Sequence, residues 1–286
     1  FRKKVNFKED VIYREESVAY ILFTSGTTGK PKGVMISHLA LSNYLHWCTS
    51  EYAQNKFTKS LMHGPLSFDA TITTYLFPLM IGKSVTIASN NTEIDRIIDI
   101  LENSEENFLI KVTPSHLRML SKLGITKKNQ SNNHIFIIGG EELNKSDIRS
   151  WVKSFHGSIF YNEYGPTEST VGCIVKKIEL SDLNKETNSV SIGQPIPNVS
   201  LKIDWLTDSN YEFNRGELLI GGVSLAKGYF KDPVETSKSF ITLENGETYY
   251  RTGDLVTYHQ NNLFYCGRKK NEIKVNGYRI CTEEID

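Results

Sequence analysis

Where an apolar run breaks off, the chain reads Thr24-Ser25-Gly26-Thr27-Thr28-Gly29-Lys30-Pro31-Lys32-Gly33. Thr24, Ser25, Thr27 and Thr28 supply hydroxyls, Gly26 and Gly29 expose backbone N–H groups, and Lys30 and Lys32 add positive charge. Together these can cradle a phosphate chain. The loop of ordinary nucleoside triphosphatases needs Gly-x-x-x-x-Gly-Lys-Ser/Thr, because the hydroxyl after Lys ligates magnesium. Here Pro31 follows Gly29-Lys30, and Thr24 stands where the first Gly belongs. A surface turn of the same composition is the alternative, and the rest of the chain must decide between them.

The elements that position such a loop are legible in the hydrophobic pattern. Strand and helix signals alternate over the first 165 residues. A short β-type run covers 18–23, and Ser37 is placed to cap a helix through about Tyr52. A helix follows up to Pro78, then strand 84–88, helix 92–103, strand 108–112, a short helix after Pro114, strand 134–140, helix 145–155 and a strand running into a loop over 158–165. This alternation predicts a mainly parallel sheet flanked by helices, with ligands at the carboxyl ends of its strands. From about residue 171 short β-type runs separated by Asn, Gly and Pro predict a smaller β-rich subdomain. The expected division is 1–170, 171–268 and 269–286.

Composition narrows the class. Of 286 residues 39% are hydrophobic and 23% charged, and 33 basic residues balance 33 acidic ones. Nothing here calls for nucleic acid or an anionic membrane as partner. No apolar run approaches the roughly 20 residues of a membrane span. Cys48, Cys173, Cys266 and Cys281 lack metal-site spacing and read as reduced thiols of a cytoplasmic protein. The chain begins with Phe1 rather than Met and stops at Asp286, the pattern expected of a piece of a longer polypeptide.

Five stretches occur in order: TSGTTGKPKGVMISH, NEYGPTE, GELLIGGVSLAKGYF, YRTGDL and GRKKNEIKVNGYRI. Together they resemble the signature motifs of adenylate-forming enzymes, which include acyl-CoA synthetases, luciferases and the adenylation domains of nonribosomal peptide synthetases. The resemblance runs from about residue 18 to the end. It implies an enzyme that joins a carboxylate to AMP with loss of pyrophosphate and passes the acyl group to a thiol.

The resemblance also assigns roles. Thr24 to Gly29 and Lys32 would grip the β- and γ-phosphates. Gly139, Gly140 and Glu141 would lie along adenine with Asn162, and Tyr164 would stack on it. Thr167 would bond the α-phosphate, and Glu168 would hold Mg²⁺ where charge develops. Asp254 would accept from the ribose hydroxyls, with Arg268 in the same neighbourhood. Lys270 takes the hinge position, where peptide-synthetase domains usually carry Asp. ATP and Mg²⁺ are implied, as is phosphopantetheine on a peptidyl carrier protein, with further synthetase domains as partners.

Asp69 has the place at which peptide-synthetase domains pair the α-ammonium of an amino acid; a plain helix cap is the alternative. The matching pocket positions are Ala70, Thr73, Lys111, Ile137, Gly139, Glu163, Val171 and Gly172. Most are small or apolar, so Lys111 and Glu163 decide. One donor and one acceptor suit a carboxamide, C=O toward Lys111 and NH₂ toward Glu163. Asparagine is therefore the expected substrate, with aspartate, glutamine or a basic amino acid behind it. A structural Lys111–Glu163 ion pair is the alternative. The chain stops at the hinge, so the small C-terminal domain is absent from it and weak activity is expected. A stand-alone acyl- or aryl-CoA synthetase and a non-catalytic nucleotide-binding module remain the competing readings.

Overall fold

The computed structural model describes residues 14–24, 31–88, 93–125, 133–184, 187–206, 215–259 and 261–269, and the backbone alone of 272–275 and 278–281. Ser25, Gly26, Thr27, Thr28, Gly29, Lys30 and Lys270 lie outside the described residues.

An antiparallel hairpin of β1 (Val18–Thr24) and β2 (Lys32–Ser37) comes first. Thr24 pairs with Lys32 across it, so the two ends of the Gly/Thr loop are held side by side. Ser37 leaves the strand in extended conformation, and its hydroxyl accepts from Ala40 N at 3.1 Å. That cap opens α1 (His38–Glu51), which buries Ala40, Tyr44 and Cys48 at four-residue spacing on one face.

Strands and helices then alternate: β3 (Lys59–Met62), α2 (Ala70–Met80), β4 (Ser84–Ile87), α3 (Glu93–Asn103), β5 (Phe108–Val112), α4 (Pro114–Lys122), β6 (Ile135–Gly139), α5 (Lys145–Ser154) and β7 (Ile159–Tyr164). The strands pair in parallel in the order β4-β3-β5-β6-β7. β8 (Ile174–Lys177) and β9 (Gln194–Pro195) extend this sheet antiparallel beyond β7. The sheet thus continues past residue 170, and the change of sheet falls after Pro195. Residues 171–195 carry the same turn-rich, short-strand texture as the rest of the second half, and texture cannot say which sheet a strand joins.

A second difference concerns α2, which runs through Pro78 to Met80. Pro78 sits in the last turn, where one N–H is lost, while Ile81 N and Lys83 N close back on Phe77 O and Pro78 O. Proline there ends the ladder without ending the helix.

The second sheet is antiparallel: β10 (Val199–Trp205), β11 (Arg215–Gly222), β13 (Thr248–His259) and β12 (Phe240–Thr242) in that order, with β14 (Asn262–Arg268) also on β13. α6 (Pro233–Ser239) precedes β12, and a final hairpin joins β15 (Glu272–Val275) to β16 (Tyr278–Cys281).

Apolar burial explains the layering. Ile110, Val112, Phe136, Ile138 and Phe160 pack on α3, α4 and α5, while Leu109, Ile135, Ile137 and Tyr161 pack on α1 and α2. Strand side chains alternate between faces, so one parallel sheet feeds both cores. A third core of Tyr164, Cys173, Ile174, Leu218, Ile220, Val256 and Leu263 joins the two sheets. Among the described residues no helix is long and apolar enough to cross a membrane.

Candidate active site

The carboxyl ends of β5, β6 and β7 carry the residues expected of a pocket. Lys111 pairs with Ile137 and Gly139 with Glu163, which puts all four on the face covered by α1 and α2. Glu163 is almost completely enclosed, its side chain 1% exposed, and forms an ion pair with Lys111, which is 10% exposed. Tyr52 OH donates to Glu163 Oε2 at 2.7 Å, and Tyr44 OH lies 3.2 Å from the same atom. Lys111 Nζ also donates to Thr73 Oγ1 at 2.9 Å, and Thr73 shares a 2.6 Å hydrogen bond with Tyr44. A buried carboxylate demands such partners. Glu163 therefore does not stand as an open acceptor, and Lys111 is the more exposed of the two.

Glycine is needed at two positions against Glu163, one facing its carboxylate and one its backbone carbonyl. A Cβ on Gly172 would come within 2.4 Å of Glu163 Cδ, and one on Gly139 within 2.5 Å of Glu163 O. Ile137 and Val171 are buried beside it and Ala70 opens α2. Beneath Lys111, His63 Nε2 donates to the Lys111 carbonyl at 2.6 Å. His63 Nδ1 and His116 Nε2 both meet Glu93 Oε1, at 2.6 and 3.1 Å. These bonds, His116 first, hold the Glu93 carboxyl down at about 2.

Asp69 occupies the N-cap position of α2 but makes no capping bond. Its carboxylate turns to the Thr167 side chain instead. Burial pushes the Asp69 carboxyl up, opposed by the Lys111 charge and the Thr167 hydrogen bond. A partly buried carboxylate near Lys111, bonded to the loop after β7, is what a cationic group would settle.

That loop is strained. After a single 3₁₀ turn at Thr167–Ser169, Thr170 and Val171 adopt φ of 61° and 67°, unusual for β-branched residues. Thr170 Oγ1 donates to Ser224 O at 2.7 Å, and Gly172 N donates back to Thr170 O at 2.9 Å. The turn holds Glu168 in a buried position, where Tyr229 OH donates to its Oε1 at 2.8 Å. Burial, and then the Glu168 charge, push the Tyr229 phenol up, so it stays a donor.

On the other side of β7, Tyr164 OH donates to Asp254 Oδ2 at 2.6 Å. Among the described residues no hydrogen bond reaches Asp254 Oδ1, although it is buried and ion-paired with Arg268 Nε 2.6 Å away. A buried carboxylate oxygen so placed can still accept a hydroxyl. Gly140 turns the chain at φ 83° after β6. Glu141 points to the start of α4, accepting from Ser115 Oγ at 2.6 Å and Arg118 at 3.0 Å. Asn162 donates to Ser191 O at 2.9 Å. Lys32 is ion-paired with Glu235 at 2.5 Å and lies over the Tyr229 ring. Thr24 Oγ1 is buried without a hydrogen bond among the described residues. Thr73, Lys111 and Glu163 thus share one bonded cluster, Asp69 and Thr167 a second pair within reach of the Lys111 charge, and Tyr164, Asp254 and Arg268 a third group.

The model of the AMP-binding enzyme family matches residues 2–230. The chain belongs to that family. It is 35% identical to bacitracin synthase 3 of Bacillus licheniformis over 279 residues, 95% of this chain and 4% of that protein. It is 34% identical to tyrocidine synthase 3 of Brevibacillus parabrevis, over 96% of this chain and 4% of that one. Its fold matches the Vibrio cholerae adenylation domain AlmE, solved with glycyl-adenosine-5'-phosphate, at a TM-score of 0.82 and 26% identity, over 95% of this chain and 52% of that chain. PA1221, a peptide-synthetase protein containing adenylation and PCP domains, shares the fold at a TM-score of 0.78 and 24% identity over 96% of this chain and 55% of that one. The AMP-binding chain described here therefore spans about half the length of these solved relatives and a small part of the synthases.

Several site residues escaped the sequence reading: Tyr44, Tyr52, Ser224, Tyr229, His63, Glu93 and His116. For the first two a signal existed, because Tyr44, Cys48 and Tyr52 recur at four-residue spacing in an apolar stripe. The others meet the site only through tertiary contact.

Proposed function

We propose that this chain carries the nucleotide- and amino-acid-binding core of a nonribosomal peptide synthetase adenylation domain. The reaction joins an α-amino acid to AMP with release of pyrophosphate, then hands the aminoacyl group to a phosphopantetheine thiol on a peptidyl carrier protein. The carrying observation is Asp69, which leaves its helix cap unmade and turns to Thr167. An acyl- or aryl-acid enzyme has no use for a carboxylate there, whereas an α-ammonium does. The adenylation-domain likeness and the glycyl adenylate in AlmE support the same reading.

In this reading Thr167 bonds the α-phosphate while Asp69 orients the amino group. Asp254 receives the ribose hydroxyls, a role its buried Oδ1 suits. Tyr164 lines adenine, and the loop begun by the orphaned Thr24 hydroxyl takes the leaving pyrophosphate. Glu168 would hold Mg²⁺. A single buried carboxylate fits that ion, which is commonly bound by one or two protein carboxylates plus phosphate oxygens. The ion would supply charge neutralisation at the reacting phosphate. Lys270 would serve as hinge.

For the amino acid we favour L-asparagine. Lys111 Nζ donates to Glu163 and Thr73, leaving one N–H without a partner among the described residues, and a side-chain carbonyl complements it. Amino-acid-dependent pyrophosphate exchange, run in the protein over all common amino acids, tests the proposal. Asparagine should stand among the best substrates. Exchange driven only by fatty or aryl acids would overturn the class, and strong preference for an apolar amino acid would overturn asparagine.

A further inference from the structure

We infer that Tyr52 and Tyr44 set the selectivity of the amino-acid pocket by saturating Glu163 from behind, so that the pocket offers its ligand the Lys111 ammonium rather than a carboxylate. This rests on the amino-acid reading of the site above.

The geometry carries the point. A carboxylate has about four acceptor positions. Lys111 takes one on Oε1, and Tyr52 donates to Oε2 at 2.7 Å. Tyr44 OH lies at 3.4 and 3.2 Å from the two oxygens. Both tyrosines are 0% exposed, so neither hydroxyl can turn to water instead. The Tyr52 ring is fixed edge-on against Trp47 and Tyr161, each 4.9 Å away between centroids, and against Phe77 at 6.3 Å. Its hydroxyl has one direction. Burial pushes both phenols well up, so they remain protonated donors.

A ligand side chain arriving from Asp69 therefore meets Lys111 first, since Lys111 is 10% exposed while the Glu163 side chain is 1% and Thr73 0% exposed. Glu163 lies behind it with its lone pairs largely occupied. Side chains bearing a hydrogen-bond acceptor are favoured, and ammonium-bearing side chains are repelled by Lys111 without compensation from Glu163. Tyr52 and Tyr44 touch no reacting atom; they are positioning residues acting through the carboxylate.

The test uses sulfamoyl-adenosine analogues of asparaginyl, aspartyl, lysyl and alanyl adenylates, titrated calorimetrically against the protein, Tyr52→Phe and Tyr44→Phe. ATP is titrated in parallel as a readout of the nucleotide side. The wild-type protein should bind the asparaginyl analogue more tightly than the lysyl one. Tyr52→Phe strips the short donor from Oε2, so Glu163 accepts from the ligand and the lysyl-to-asparaginyl affinity ratio rises about tenfold. Tyr44→Phe should move the ratio the same way by less, since its contacts are longer. A uniform loss across all four analogues, or an unchanged ratio with ATP binding intact, overturns the inference. If Tyr52→Phe fails to bind ATP as well, the direction of the Tyr44→Phe shift decides. A wild-type protein that binds ATP but none of the four analogues overturns the amino-acid reading itself, and this inference with it; a wild-type protein that ranks them while both variants keep its ranking overturns the inference alone.

Discussion

Replacing Glu163 with Gln keeps shape and volume but swaps one acceptor oxygen for an NH₂ group. That group faces the Lys111 ammonium, which can only donate, and Tyr52 OH at 2.7 Å and Tyr44 OH at 3.2 Å, which would have to turn from donors into acceptors. Lys111, 10% exposed, is left without its counter-charge. Removing one partner of a buried ion pair costs about 3–5 kcal/mol. Taking the lower end, with a shift of about 3 °C per kcal/mol for a chain of this size, the melting temperature should fall by about 9 °C. Lys111→Met strands the carboxylate instead, with two tyrosine donors remaining, and should cost about as much. The double variant removes both charges and should lose clearly less than the sum. The cycle should give a coupling of about 2 kcal/mol or more. Denaturant unfolding followed by circular dichroism provides the free energies. Fluorescence of Trp47, whose ring lies 4.9 Å from Tyr52, reports the local packing. Single-variant losses that add to within about 0.5 kcal/mol of the double would refute the claim that the two charges depend on each other.

Gly172→Ala places a methyl 2.4 Å from Glu163 Cδ, so the carboxylate must leave Tyr52; a stability loss of about 2 kcal/mol is expected, with amino-acid binding reduced and ATP binding retained by calorimetry. Glu93, held at about 2 by His116 and His63, stabilises the fold above about pH 4.5, and that contribution is lost as pH falls toward 2. Glu93→Gln should thus cost about 2 kcal/mol near neutrality and almost nothing near pH 2, and an equal cost at both would sink the assignment. Because burial raises the Asp69 carboxyl, amino-acid binding should weaken on acidification before an ordinary aspartate titrates. Asp69→Asn should bind weakly at every pH, and an unchanged acid limb in that variant would assign the titration to another group.

Local signals carried much of the architecture into the sequence. Ser37 announced α1, and each parallel strand read as an apolar run. Asp69 is hydrogen-bonded to Thr167 and feels the Lys111 charge, and Lys111 is ion-paired with Glu163. What local reading missed was long-range. Pro78 read as a stop because sequence does not say whether a proline falls in a helix's last turn. β8 and β9 carry no mark of which sheet they join. Lys111 and Glu163 could be read as a donor and an acceptor or as an ion pair, but the two tyrosines that bond Glu163 come from α1 and its C-cap, far away in sequence. Lys32 gave no sign in the sequence of its ion pair with Glu235, which lies 203 residues away.

Consecutive residues of β7 part company at Glu163 and Tyr164. The first joins the tyrosines of α1; the second crosses to Asp254 of the other sheet. Such a partition lets selection work on one residue while its neighbour is held constant. Under the function proposed above, exchanges at Lys111, Glu163, Tyr44 and Tyr52 would explore new cargo without disturbing the grip on nucleotide. A lineage of such chains can therefore diversify its chemistry by drift in a handful of codons, and an engineer can graft a foreign set of those side chains as a block.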